Sequence, residues 1–181
     1  MNQRIDAIAT ARLQVGMNPG GTKFWEHMGY KSRVEWCACF VSWLMDAVKL
    51  APEKWRRSGG CTQMMAYAGK IGIILSKDTE PQPGDIVFFE WNDPGDGPDH
   101  AGIISSVLSD SIYTIEGNVK DAAGVDNVVC RSWDRNDKRV YAIARPEYEA
   151  GKSWADVQDA LARIITALED IKEWSGDSER E

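Results

Sequence analysis

The sequence predicts an α+β fold: N-terminal helices packed on a small antiparallel sheet of about five strands, with a further helix at the C-terminus. Three observations predict it. Helical apolar spacing dominates the first part of the chain. Short strand-like runs bounded by turn residues follow between Asp85 and Arg145. Helical spacing returns after Pro146. Helices first and short strands afterwards favour an α+β arrangement over alternating βαβ units.

Taken in order, Ile5, Ile8, Ala9, Arg12 and Leu13 give an apolar edge over residues 4–15, closed by Gly16-Met17-Asn18-Pro19-Gly20-Gly21. A long loop to Glu35 follows, carrying Phe24, Trp25, His27 and Tyr30. It suits either a cleft wall or a lid over the core. A helix then begins near Cys37, with Phe40, Val41, Leu44 and Val48 on the same apolar stripe, and ends near Leu50-Ala51-Pro52. Residues 61–72 read as another helix, with Thr62 as N-cap and Met65, Ala68 and Ile71 facing inward. Strands are expected over 85–89, 100–107, 111–118, 125–133 and 140–145, the last stopped by Pro146. Beyond it, Trp154, Val157, Leu161, Ile164, Leu168 and Ile171 alternate at three and four residues, an a/d seam with Ser153 as its cap. That helix suits either packing on the domain or pairing with a second copy. The domain reading is therefore a main α+β domain over 1–150 and an amphipathic helix with a frayed tail over 151–181.

A chain of 181 residues supports one well-packed domain with an appendage. Hydrophobic residues make up 43% and charged residues 27%, which excludes a disordered chain. The net charge of −7 and the absence of a basic patch exclude general nucleic-acid binding. No window has the length of a membrane span, and residues 1–15 do not read as a secretory signal. The cysteines at 37, 39, 61 and 130 lack the spacing of a zinc site and are expected as free thiols. No cofactor is expected.

The chemistry centres on Cys37. A thiol in the first turn of a helix meets unpaired backbone N–H groups and the positive end of the helix dipole, which lower its pKa toward thiolate. A small buried hydrophobe at a helix start is the ordinary alternative. His100 opens a strand after the Gly/Pro loop 92–98 and could serve as the base. Glu116 or Asn118 could orient it. A three-residue turn, Leu108-Ser109-Asp110, would place His100 opposite Asn118 and Gly102 opposite Glu116 on one face. A two-residue turn would put the acid on the wrong face, so the mechanism requires an odd-length turn or a bulge. The Cys37 backbone N–H is aimed where an oxyanion would form, with Tyr30 a candidate second donor. Tyr30, Trp36, Trp25 and Trp91 are the candidate substrate contacts; the core is the other place for such tryptophans.

The segment Trp36-Cys37-Ala38-Cys39-Phe40-Val41-Ser42-Trp43 resembles the nucleophile helix of CHAP domains, the cysteine, histidine-dependent amidohydrolases/peptidases of the papain-like group of cell-wall hydrolases. Ala11-Arg12-Leu13-Gln14-Val15-Gly16, Pro83-Gly84-Asp85-Ile86-Val87-Phe88-Phe89, Asp99-His100-Ala101-Gly102-Ile103-Ile104, Thr114-Ile115-Glu116-Gly117-Asn118 and Ile143-Ala144-Arg145-Pro146 are similar to further family blocks, in order. The resemblance implies a papain-like fold, Cys37 as nucleophile, His100 as base, Glu116 as orienting acid and Asn118 as a fourth polar site residue. It implies peptidoglycan as the partner, cut either at the amide joining muramic acid to the stem peptide or within the peptide or cross-bridge. It further implies a thiol enzyme made in the cytoplasm that acts on a cell wall, extracellular, periplasmic or phage-delivered, with neither nucleic acid nor membrane as partner. Homo-oligomerisation or domain packing would run through the last helix. Residues 29–35 hold too few carboxylates for the calcium loop of some phage members. Cys39, about 200° around the helix from Cys37, should face away from the site. A wall-binding module that does not cut, and an intracellular amidase or isopeptidase, are the competing readings.

Overall fold

The computed structural model describes residues 2–76, 78–92 and 95–151. Within them, Gln3–Glu149 form one compact unit. The C-terminal helix expected over 154–171 lies outside the described residues.

The unit holds α1 (Gln3–Arg12), a short 3-10 turn (Pro19–Gly21), α2 (Thr22–His27), α3 (Cys37–Ala47), α4 (Cys61–Lys70) and five strands. These are β1 (Ile86–Phe89), β2 (His100–Val107), β3 (Ser111–Lys120), β4 (Asp126–Asp134) and β5 (Val140–Ala144), in the order β4-β3-β2-β1-β5, antiparallel throughout. The α+β expectation holds, each strand beginning within one residue of its expected start. Two helical details differ. α2 occupies part of the stretch expected as loop; Gly20 and Gly21, both at positive φ, turn the chain into it. On α1 the buried residues are Ala7 and Ala11, while Ile5 and Leu13 are exposed. Small side chains let this helix lie close on its neighbours.

α3 sits in the middle of the core. Cys37, Phe40, Val41, Leu44 and Val48 are buried, as the stripe requires, and Ala38 and Cys39 are buried as well. The helix is therefore covered nearly all round. One core cluster joins α3 to Ile86, Phe88, Ala101, Ile103 and Ile115. A second, smaller cluster of Val87, Phe89, Ile104, Ile112 and Trp133, with Trp91 packed against it, is built from the alternate positions of the same strands.

The β2–β3 hairpin carries the site's register. Leu108 N–H donates to Ser111 O at 2.8 Å and Val107 pairs with Ile112, so the turn is two residues long, Ser109-Asp110, the length that by itself would put the acid on the wrong face. A bulge between Ile104 and Ser106 then adds one residue to β2 and restores the other parity. Beyond it Ile104 pairs with Thr114, Ile103 with Ile115 and Gly102 with Glu116. The bulge does what an odd-length turn would have done.

Candidate active site

Cys37 is the first residue of α3, with Trp36 as N-cap and no side chain capping the helix. The first-turn N–H groups are thus left facing the thiol. His100 opens β2 and pairs across the ladder with Phe89. Its Nε2 lies 3.1 Å from Glu116 Oε2. Both side chains are buried, His100 at 3% and Glu116 at 0% exposure, so this ion pair is shielded from water.

Glu116 is fully engaged. Its Oε1 accepts from Thr114 Oγ1 at 2.5 Å and from Trp133 Nε1 at 2.7 Å. Arg131 Nη1 stands 3.9 Å from Oε2. With Nε2 committed to Glu116, the ring nitrogen left for the thiol is Nδ1. The Trp91 indole stacks on the imidazole at 3.7 Å between centroids and 19° between planes. The loop that presents Trp91 is tied down by Asp99, whose carboxylate accepts from the backbone N–H of Trp91 at 2.9 Å and of Asn92 at 2.7 Å. The Arg131 guanidinium covers Trp91 and Trp133 from outside, at 5.1 and 4.4 Å from the ring centroids.

The electrostatics follow from these contacts. The Cys37 thiol is held well below its usual range, first by a hydrogen bond from Cys61, then, against the cost of burial, by the hydrogen bond and charge of His100. Burial opposes charge on His100, but hydrogen bonds to Cys37 and Glu116 outweigh it and push the imidazole up to about 9. Burial likewise opposes the Glu116 carboxylate, which the His100, Thr114 and Trp133 hydrogen bonds hold below its usual range. The favoured state is a thiolate–imidazolium pair backed by a carboxylate. Such a set can attack a carbonyl carbon and return a proton to a leaving amine.

The sequence-predicted residues divide. Cys37, His100 and Glu116 come together. Asn118 does not join them: β3 is irregular between Glu116 and Val119, Asn118 takes φ 64°, and its amide is turned to the Glu35 carboxylate and the Arg33 guanidinium. The expected pairing of His100 with Asn118 is thereby replaced. Trp36, expected to contact substrate, is fully buried and stacked on Phe24, so it presents no surface to a ligand. Trp25 is also a core side chain, with its Nε1 bonded to Gly20 O at 3.1 Å. Trp91 covers the imidazole. Tyr30 is exposed and lies against Gly59, two residues ahead of Cys61. Thr62 is not the cap of α4, a position held by Gly60; its hydroxyl donates to Pro98 O instead.

Sequence reasoning missed Cys61. It opens α4, is buried, and its Sγ lies 3.5 Å from Cys37 Sγ. Beside it opens a surface cleft of about 340 Å³, lined by Gly60, Thr62, Asn92, Pro98 and Asp99 among others. Thr114, Trp133 and Arg131 were likewise unassigned. The shared face of Thr114 and Glu116 on one strand was the available signal for the first of these.

Among the described residues no cluster of His, Cys, Asp and Glu is arranged to hold a metal ion. The family model described as CHAP domain matches residues 25–118, more than half of the chain. A search of curated proteins finds no match. Among solved structures, that of Ly7917 is similar in fold, with a TM-score of 0.51 and 17% identity. The match covers 79% of this chain and 62% of that one, so the present chain spans less than two thirds of its length.

Proposed function

The chain belongs to the CHAP domain family, whose members are generally hydrolases of cell-wall peptidoglycan, and from that premise we propose that it cleaves a peptidoglycan amide bond with Cys37 as nucleophile. One observation carries the reading: a helix-start thiol of lowered pKa shares a buried site with an imidazole already oriented by a carboxylate. The Cys37 thiolate attacks the amide carbonyl, and the first-turn N–H groups of α3 stabilise the oxyanion. His100 protonates the leaving amine and a thioester forms. His100 then takes a proton from water, which attacks the thioester and frees Cys37. Glu116 holds the imidazole in the required tautomer and balances its charge throughout. Asn118 acts at a distance from this chemistry, by fixing Glu35 and Arg33 ahead of α3.

The test is release of new amino groups from purified peptidoglycan, with the fragments weighed. Wild-type release that disappears in Cys37→Ala supports the reading. Fragment masses then separate cleavage at the muramoyl–alanine amide from cleavage within the stem or cross-bridge. Unchanged release in the variant, or none from walls of several cross-link types, overturns it.

A further inference from the structure

The mechanism above leaves two buried thiols unused, Cys39 and Cys61, and Cys61 is in contact with the reacting sulfur. We propose that Cys61 is a positioning residue for Cys37: its S–H donates to the Cys37 thiolate and holds that sulfur deprotonated and in place against His100. The inference rests on the reading of Cys37 as nucleophile.

The geometry carries it. The two Sγ atoms are 3.5 Å apart, a hydrogen-bonding separation for sulfur, and both side chains are buried. Each cysteine is the first residue of its helix, and neither helix has a side chain capping its N-terminus. The positive ends of α3 and α4 thus carry the two sulfurs between them. One negative charge is favoured there, and a proton shared between two thiols supplies the hydrogen bond that stabilises it.

The direction of donation follows from the neighbours. Cys37 faces the His100 imidazole, itself held by Glu116, so Cys37 is the sulfur that takes the charge. Cys61 is driven the other way: its hydrogen bond to Cys37, then burial, then the charges of Cys37 and Asp99 all act against its ionisation. It therefore stays a thiol and a donor. The remaining groups offer no substitute. Asp99 presents to Cys37 a carbonyl oxygen, at 3.8 Å, which can only accept, and its carboxylate is occupied by the backbone of Trp91 and Asn92. Cys39, although its thiol is pushed up to about 11 by burial and by the charge of Cys37, stands about 200° around α3 from Cys37, on another side of the helix. Without Cys61 the thiolate would keep its imidazolium partner and the Ala38 backbone N–H but lose the thiol donor. A sulfur with one donor fewer is both more basic and freer to rotate.

The experiment follows alkylation of Cys37 by iodoacetamide against pH in the full chain, with the modified peptide identified by mass. The wild type is compared with Cys61→Ala and Cys61→Ser. A lost hydrogen bond to a charged group should raise the midpoint of Cys37 reactivity by about one to two pH units in Cys61→Ala. Cys61→Ser keeps a donor hydroxyl and should restore most of that shift. On peptidoglycan, Cys61→Ala should lose about tenfold in kcat at pH values below the new midpoint, with KM little changed. A midpoint in Cys61→Ala equal to the wild type overturns the proposal. So does a midpoint in Cys61→Ser that moves as far as in Cys61→Ala, since packing alone would then explain both. If the alanine variant does not fold, Cys61→Val, which fills the volume without a donor, takes its place and is held to the same shift. Alkylation does not depend on the substrate, so a chain inert toward peptidoglycan would sink the proposed function and still leave the midpoint readable.

Discussion

Gly102 lies directly opposite Glu116 on the β2–β3 ladder, so close that a Cβ on it would stand 2.7 Å from Glu116 Cγ. The same Cβ would meet Ile115 O at 3.0 Å, and that backbone oxygen is fixed by the ladder. Neither neighbour can yield without moving the carboxylate that orients His100. Gly102→Ala should therefore lower kcat/KM by about tenfold or more and cost about 1–3 kcal/mol of stability. Turnover and urea unfolding of the same preparation check both. Wild-type values in each would show that the sheet gives more easily than the geometry implies.

The rate of wall cleavage should be bell-shaped in pH. The acid limb follows Cys37, whose thiol ionises well below its usual range. The alkaline limb should fall near 9, where His100 loses the proton it must deliver to the leaving amine. The imidazole is raised by its partners, so removing a partner lowers it. Glu116→Gln should move the alkaline limb to lower pH and reduce kcat. An alkaline limb indifferent to this substitution would break the link between Glu116 and His100.

Trp91 should affect turnover more than affinity. Its ring lies flat on the imidazole at 3.7 Å, where its π face stabilises the imidazolium and keeps water from the buried pair. Trp91→Ala is expected to lower kcat about three- to tenfold and to shift the alkaline limb down, whereas Trp91→Phe retains part of both. A change confined to KM would assign Trp91 to substrate contact instead.

Stability has its own vulnerable pair away from the site. Asp85 is fully buried, and both of its carboxylate oxygens are held by Arg145, at 3.0 and 2.8 Å. Arg145→Ala would leave that charge without its cation and should cost about 3 kcal/mol or more, read as a lower urea midpoint. Asp85→Asn paired with Arg145→Ala should recover part of the loss, because the stranded charge is gone. A double variant no more stable than Arg145→Ala would count against this account.

What could be read from the sequence was what repeats locally. The stripe from Cys37 to Val48 and the alternation along β2 and β3 are imposed by helix and strand periods; the stripe survives whole, and the alternation survives as far as the bulge at Ser105 in β2 and the break beyond Glu116 in β3. The meeting of His100 with Glu116 was legible only as a condition on parity. The bulge that meets the condition leaves no mark in the residue types around Ser105. Cys61 was invisible as a site residue because its meeting with Cys37 joins two helix starts 24 residues apart, and no local pattern encodes that. Asn118 shows the opposite failure. Strand alternation placed it beside Glu116, but the break in β3 and its positive φ turned its side chain away. Trp36 was misjudged because nearness to Cys37 in sequence says nothing about which side of the chain faces solvent. Phe24, brought in by a helix expected as loop, covers it.

The one-residue bulge in β2 has a consequence for how this hairpin can vary over generations. Near the turn, paired residue numbers sum to one value; beyond Ser105 they sum to a value one lower. An insertion at the tip only lengthens the turn, because Leu108 and Ser111 can still close it. Loss or gain of a single residue within the strands, between that closing pair and Gly102 or Glu116, exchanges the inward and outward faces, and would carry Glu116 away from His100 unless a second irregularity cancelled it. The strands are therefore subject to an even–odd rule set by chemistry at their far end, from which the exposed tip at Ser109-Asp110 is exempt.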